Sequence, residues 1–173
     1  MGVRSLLIEL TTRKVREYLS ESTPYGTVPR IYPPATDEQI FALESIASQE
    51  LDEKYREFLS LSDGMEGFFP GMRILGCRDW AQGESEKSGL QFLDTLRESR
   101  TPVDVGLPED TALFPVAIDE DEARGIFMLQ AADILPERFW WVGEGDSMFF
   151  GDFADLLGYV VDMDSYFPRE SVD

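Results

Sequence analysis

The sequence predicts an α+β fold, a single domain in which helices pack around a twisted antiparallel sheet. Helical periodicity dominates the first 98 residues, and short apolar segments separated by turn residues follow between residues 113 and 150. Because helices and strands do not alternate in a βαβ rhythm, the pattern favours an antiparallel sheet. The chain has 173 residues and 43% apolar content, which suffices for one sizeable core.

Five segments have the apolar spacing of a helix. They are Val3–Ser20, Thr36–Ser48, Asp52–Leu61, Ser85–Glu98 and Asp152–Val161. Thr36 and Gln39 have the spacing of a capping box. Between the first two helices, Ser22–Ala35 contains four prolines and is expected to be an extended connector. The predicted organisation is an N-terminal helix and Pro-rich connector (1–33), a main domain (34–165) and a C-terminal tail (166–173), with the chain expected to fray beyond residue 161.

The predicted strands lie mainly in the later part of the chain. They are Met72–Leu75, Leu113–Ile118, Gly125–Leu129, Arg138–Val142 and Ser147–Phe150, with Gly143–Asp146 as a hairpin turn. Glu66–Gly71 is predicted to be a turn, Trp80 to lie in a loop and Ser99–Asp110 to be a linker. Since side chains alternate along a strand, Phe139 and Trp141 should share one face and Trp140 the other, as in a central strand covered on both sides.

The charge balance bears on the kind of partner. Fifteen Lys and Arg residues stand against thirty-four Asp and Glu residues, which gives a formal net charge of −19. Such a surface repels nucleic-acid phosphates and anionic membranes, so we expect neither as a partner. It attracts basic proteins and speeds encounter with them. The alternative interpretation is that the charge serves solubility alone.

The chain has no histidine and a single cysteine, Cys77. A Ser-His-Asp triad, a His base and a His metal ligand are therefore excluded, and only carboxylates could surround a zinc ion. We expect no catalysis, no metal and no cofactor. Cys77 is expected to be a small buried hydrophobic residue, and a chain without disulfides fits a cytoplasmic location. No apolar segment approaches the ~20 residues of a membrane span, and Met1–Leu10 is interpreted as helix or strand rather than as a signal peptide.

Two groups of residues are candidates for contact with a partner. The first is an acidic turn made of Asp119, Glu120, Asp121 and Glu122. As a calcium loop this segment fails, because Arg124 stands where Gly is required and Gln130 where Glu is required. It is either a solvated hairpin tip or a contact for a basic surface.

The second group is aromatic. Phe68, Phe69 and Trp80 would either fill the core or line a pocket or protein-binding patch, and Trp140 becomes a candidate contact if it is exposed.

Three segments in order carry a resemblance to a known family. They are Pro34–Ile40 with Ala42-Leu43-Glu44, Leu51–Leu59 with Ser62-Asp63-Gly64, and Gly151–Leu157. Their order and spacing resemble those of the Smi1/Knr4 family, also called SUKH, over about residues 34–163. Asp52 stands where the family usually has Pro, and Gly151-Asp152 replaces the usual Ser before Phe153.

The resemblance implies a SUKH-like fold and a non-catalytic function. Many bacterial members are immunity proteins that bind and neutralise a toxin, often a nuclease or a deaminase. Other members, including the fungal ones, are non-enzymatic regulators linked to cell-wall assembly. We therefore expect an immunity-type binding protein with a basic partner, with a cell-wall regulator or scaffold as the alternative and a carboxylate-dependent hydrolase as a third reading.

Overall fold

The computed structural model describes residues 1–20, 28–82 and 84–172, which form a mixed α+β structure around one core. Seven strands in these ranges form one sheet, in which strand order follows chain order and every neighbouring pair is antiparallel. They are β1 (Arg30–Ile31), β2 (Met65–Phe69), β3 (Met72–Ile74), β4 (Ala112–Asp119), β5 (Arg124–Gln130), β6 (Phe139–Gly143) and β7 (Asp146–Phe150). The predicted fold class is confirmed.

Seven α-helices lie between and around these strands in the described ranges. They are α1 (Val3–Ser20), α2 (Asp37–Ala47), α3 (Glu53–Leu59), α4 (Cys77–Gln82), α5 (Glu84–Glu98), α6 (Thr101–Asp104) and α7 (Phe153–Val161). The capping box is present, since the Thr36 hydroxyl accepts from the Gln39 N–H and the Gln39 side chain accepts from the Thr36 N–H. All five predicted helices are confirmed within a few residues.

Both faces of the sheet are covered by helices. Phe139 contacts Tyr55 of α3 and Phe153 of α7, whereas Trp140 contacts Phe127, which stacks on Phe92 of α5. The strand β6 is therefore central and buried on both sides, as the alternation of its aromatic residues predicts.

The sheet begins earlier in the chain than predicted. The segment expected to be a turn, Glu66–Gly71, contributes most of β2, because Gly67 (φ +69°) lies in a bulge between Glu66 and Phe69 and does not end the strand. Trp80 lies in α4 rather than in a loop, and the predicted linker Ser99–Asp110 contains α6.

The two ends of the chain also differ from the predicted organisation. Helix α1 buries Val3 and Leu10 in the common core, and its Arg13 donates a hydrogen bond to the carbonyl of Val161. The C-terminal tail does not fray through residue 172, since the Phe149 N–H donates to the Arg169 carbonyl at 2.9 Å. The first part of the predicted connector, residues 22–27, lies outside the described residues.

The segments that carry the family resemblance meet in this core. Tyr55 and Phe58 of α3 pack against Phe153 of α7 with ring centroids 4.9 and 5.2 Å away. Asp63 is buried, and its carboxylate accepts hydrogen bonds from the N–H groups of Cys77 and Arg78 at the start of α4. Most of the motif residues in this cluster are therefore explained by helix caps and core packing.

Candidate protein-binding surface

Three hairpin turns lie together at one end of the sheet, because alternate connections of an antiparallel meander fall on the same side. They are Pro70–Gly71 between β2 and β3, residues 120–123 between β4 and β5, and Glu144–Gly145 between β6 and β7. The Glu120 N–H donates to the Gly71 carbonyl at 2.9 Å, which joins the first two turns.

Five exposed carboxylates lie at this end of the sheet. The acidic rim, as we name it, consists of Glu120, Asp121, Glu122, Glu144 and Asp146, all of them exposed. The last two turns are in close contact, because a Cβ on Gly143 would lie 2.2 Å from the Ala123 carbonyl oxygen. The fold thus brings two carboxylates from β6–β7 beside the three that follow Asp119.

Arg124 holds the three turns together beneath the rim. Its Nε donates to the Asp119 carboxylate at 2.7 Å, and its Nη2 donates to the Pro70 carbonyl at 2.8 Å. Nε also lies 3.6 Å from a Glu144 carboxylate oxygen, and the guanidinium lies over the Phe69 ring, 5.6 Å from its centroid. Arg124 is therefore engaged with the protein itself, while the rim carboxylates remain exposed to solvent.

The prediction that Asp119 contacts a partner is wrong. Its side chain is buried, where it accepts from Arg124 and from the Asp121 N–H at 2.7 Å. It fixes the turn and is not available to a partner, whereas Glu120, Asp121 and Glu122 are exposed.

Three of the aromatic residues predicted as possible partner contacts are also buried. Phe68 and Trp140 are fully buried, and Trp80 is 8% exposed and stacks on Phe114 at 4.5 Å. They fill the core because both faces of the sheet are covered, so they are not surface contacts. Phe69 is half-buried and packs edge-on against Trp141.

Glu144 and Asp146 were interpreted from sequence only as hairpin-turn residues. The signal that places them at the acidic end is the meander itself, since the turn after β6 must lie on the same side as the turn after β4. In the β5–β6 register Arg124 lies opposite Gly143, and this register places Glu144 and Asp146 next to the acidic turn.

A cleft of about 320 Å³ opens beside the rim. Glu120, Glu66, Arg73 and Ser88 are among the residues that line it. The Tyr32 hydroxyl donates to Glu66, and Arg73 donates to Asp79 at 2.7 Å, so both cleft residues take part in structural bonds. The cleft adjoins the rim through Glu120.

A second depression lies between α2 and α3. It measures about 590 Å³ and is lined by Asp37, Ile40, Phe41, Glu53, Arg56, Glu57 and Ser60. Ile40 is buried, whereas the neighbouring Phe41 is 71% exposed. We name this depression the α2–α3 groove.

The predicted buried thiol is present, since Cys77 is 7% exposed. Burial, together with the nearby Asp63 carboxylate, raises the pKa of Cys77 to about 12. The group is therefore a thiol at neutral pH, the unreactive form.

None of the helices in the described ranges is long and apolar enough to cross a membrane. Comparison of the sequence with protein-family models finds no match. Comparison with curated proteins finds no significantly similar sequence. The geometry accordingly defines a class, an acidic α+β domain with a carboxylate-rich sheet end, and the family remains a proposal.

Proposed function

We propose that this protein is a non-catalytic binding protein whose partner is a basic protein, and that it is an immunity-type member of the Smi1/Knr4 family acting in the cytoplasm. The observation that carries the proposal is the acidic rim, in which two of the three hairpin turns at one end of the sheet present five exposed carboxylates. The segments that resemble the family support it as well, because their order matches.

The rim is suited to recognition because its backbone is held before any partner arrives. Arg124 and the buried Asp119 connect the turns, so the backbone of the turns needs little ordering on binding. Charges placed in this way steer encounter and exclude partners of the same sign. The net charge of −19 adds a long-range field of the same sign.

The chemistry expected of a nucleic-acid-cleaving toxin supports the proposed immunity role. A toxin that cleaves or modifies nucleic acid must itself attract phosphate, and it therefore presents basic side chains. An acidic rim that covers those side chains would compete with the nucleic acid for them.

The experiment compares two charge-reversal variants. One carries Glu120→Lys, Asp121→Lys and Glu122→Lys on the rim. The matched control carries Glu109→Lys, Asp110→Lys and Asp133→Lys, exposed residues at the opposite end of the sheet that make the same change in net charge. The partner is captured from the native cell with wild-type protein, identified, and expressed in a host without this chain.

We expect a basic partner that inhibits growth, and we expect wild-type protein and the opposite-end variant to restore growth. The rim variant should fail to restore it while remaining folded by circular dichroism. A partner with an acidic surface, or a rim variant that protects as well as wild type, would overturn the proposal.

A further inference from the structure

We propose that the α2–α3 groove is a second contact for the same kind of partner, and that it binds a basic amphipathic segment in which Lys or Arg side chains flank an apolar residue. The inference rests on the proposed function and specifies a surface that lies outside the acidic rim.

The groove follows from the spacing of residues on two helices. Asp37, Ile40 and Phe41 lie at positions i, i+3 and i+4 of α2, so they share one face. Glu53, Glu57 and Ser60 repeat at similar spacing along α3 and its C-cap. The two faces meet across a groove whose apolar side comes from α2 and whose acidic side comes mainly from α3.

Phe41 is the apolar anchor of this surface. At 71% exposed it leaves most of its ring in water, although the adjacent Ile40 is 4% exposed. Burying that ring against a partner would remove a large apolar area from water. Aromatic residues, Phe among them, are enriched in protein–protein interfaces relative to the rest of the surface.

The charges around the groove select the partner. Among the residues that the structure describes, Asp37 and Glu53 have no ion-pair partner. The cation in the groove, Arg56, is already bound by Glu44 from α2. Glu57 pairs with Lys54 at 3.5 Å in an exposed geometry, which contributes little and is readily exchanged.

A second copy of this chain is a poor occupant, because each copy carries a net charge of −19 and the groove itself is acidic. Nucleic acid is disfavoured by the same repulsion. A basic protein segment combines the two properties that the groove complements, an apolar residue for Phe41 and cationic side chains for Asp37 and Glu53.

The test is an NMR titration of the full-length 15N-labelled protein. The probe is a short peptide that alternates Lys and Leu, and the control peptide of the same length alternates Glu and Leu. We expect the Lys/Leu peptide to shift the amide signals of Ile40, Phe41 and Glu57, and the Glu/Leu peptide to leave them unchanged.

Two variants define the contact. Phe41→Ala should weaken binding about tenfold, the loss expected of an interface anchor, and it should fold normally because Ala is the better helix former. Phe167→Ala, which truncates a side chain that is 92% exposed outside the groove, should bind like wild type.

The outcomes separate the groove from the rim. Wild-type affinity in Phe41→Ala together with lost affinity in the rim variant would refute the groove and leave the proposed function standing. Equal binding of the two peptides, or no binding of either, would refute the groove, whereas the proposed function is decided by the captured partner and the rim variant. Amide shifts confined to the rim would also refute the groove.

Discussion

At the residue scale, Asp52 links two helices through one carboxylate oxygen. Its Oδ1 accepts from the N–H groups of Lys54 and Tyr55 at the start of α3, at 3.1 and 3.0 Å, and from the Phe153 N–H of α7 at 3.2 Å. Burial raises the pKa of Asp52, and the neighbouring Asp152 adds to this, while these hydrogen bonds and Arg138 oppose it. Asp52 is therefore the N-cap of α3 and also a hydrogen-bond acceptor for the start of α7.

Asp52→Ala should lower the free energy of unfolding by about 1–2 kcal/mol, because the N-cap of α3 and the hydrogen bond from the Phe153 N–H of α7 are both lost. Asp52→Asn keeps the accepting oxygen and should be close to wild type. Urea unfolding of the three proteins measures both effects. An Ala variant as stable as wild type would contradict the shared cap.

The pH dependence of the same variants has a definite sign. Since the pKa of Asp52 is raised on folding, its contribution to stability is present at low pH and is lost as the pH rises through the folded-state pKa. Asp52→Asn cannot ionise, so its stability relative to wild type should increase between about pH 4 and about pH 7. A relative stability that falls over this range would show that the ionised carboxylate is favoured in the fold.

Cys77 provides a second test at this scale. With the pKa of the thiol raised to about 12, little thiolate forms in the folded protein. Alkylation by iodoacetamide at about pH 8 should be more than about a hundredfold slower in the folded protein than in urea, where the pKa is ordinary. Equal rates in the two states would mean that the thiol is accessible.

At the scale of elements, Arg124 is expected to hold the three hairpin turns. Arg124→Gln leaves the buried Asp119 without its cation and should cost about 3 kcal/mol. Combining it with Asp119→Asn removes the uncompensated charge, so the double variant should recover part of the loss. Thermal and urea unfolding of the wild type, the two single variants and the double variant measure the free energy of unfolding of each protein. Losses that simply add would indicate that the two side chains do not act as a pair.

The strand β6 is tested by its two tryptophans. Trp141 is 2% exposed and contacts Phe69, Phe150 and Tyr159, so Trp141→Ala should cost about 3–5 kcal/mol. Trp140 Nε1 donates to the Ser147 hydroxyl at 2.9 Å, and Trp140→Phe should cost less because it keeps most of the buried ring. A Trp141→Ala variant with wild-type stability would contradict the two-sided burial of this strand.

Sequence patterns predict a helix or turn correctly when residues within that element determine its conformation. The capping box at Thr36 marks the start of α2, and Glu144 and Gly145 both have positive φ (+53° and +87°), as a two-residue hairpin turn requires. The strand β2 was missed because a glycine in a bulge and a glycine in a turn look alike in sequence. Ile46 of α2 is 51% exposed although its spacing along the helix resembles that of a core position. Its exposure depends on tertiary packing, which a local sequence pattern does not reveal.

The candidate site was predictable in part. The acidic turn after β4 stands out from charge alone, and three of its four carboxylates are exposed. That Asp119 is buried depends on Arg124 across the turn, and that Glu144 and Asp146 join the rim depends on the register of three hairpins. Phe41 could not be identified, because an aromatic residue next to Ile40 on a helix is as consistent with the core as with the surface.

At the scale of the whole molecule, a net charge of −19 can contribute to specific recognition only where some of the carboxylates are held in a fixed arrangement. The rim and the α2–α3 groove are two places where carboxylates lie beside fixed backbone or an exposed aromatic ring. Between them the core is continuous, and α1 belongs to it through Val3, Leu6, Leu7 and Leu10. The scaffold is therefore one unit, and the proposed basic partner would meet surfaces that are already formed.

The most direct test of the central claim is the rate of association with the captured basic partner, measured by stopped flow as the salt concentration rises. Steering is screened over a Debye length of ~8 Å at physiological ionic strength, so the wild-type rate should fall steeply. The Glu120→Lys, Asp121→Lys, Glu122→Lys variant should associate slowly and show a much flatter salt dependence, whereas the opposite-end variant with the same net charge should stay close to wild type. A wild-type rate independent of salt, or identical behaviour of the two variants, would contradict the assignment of the acidic rim as the binding surface.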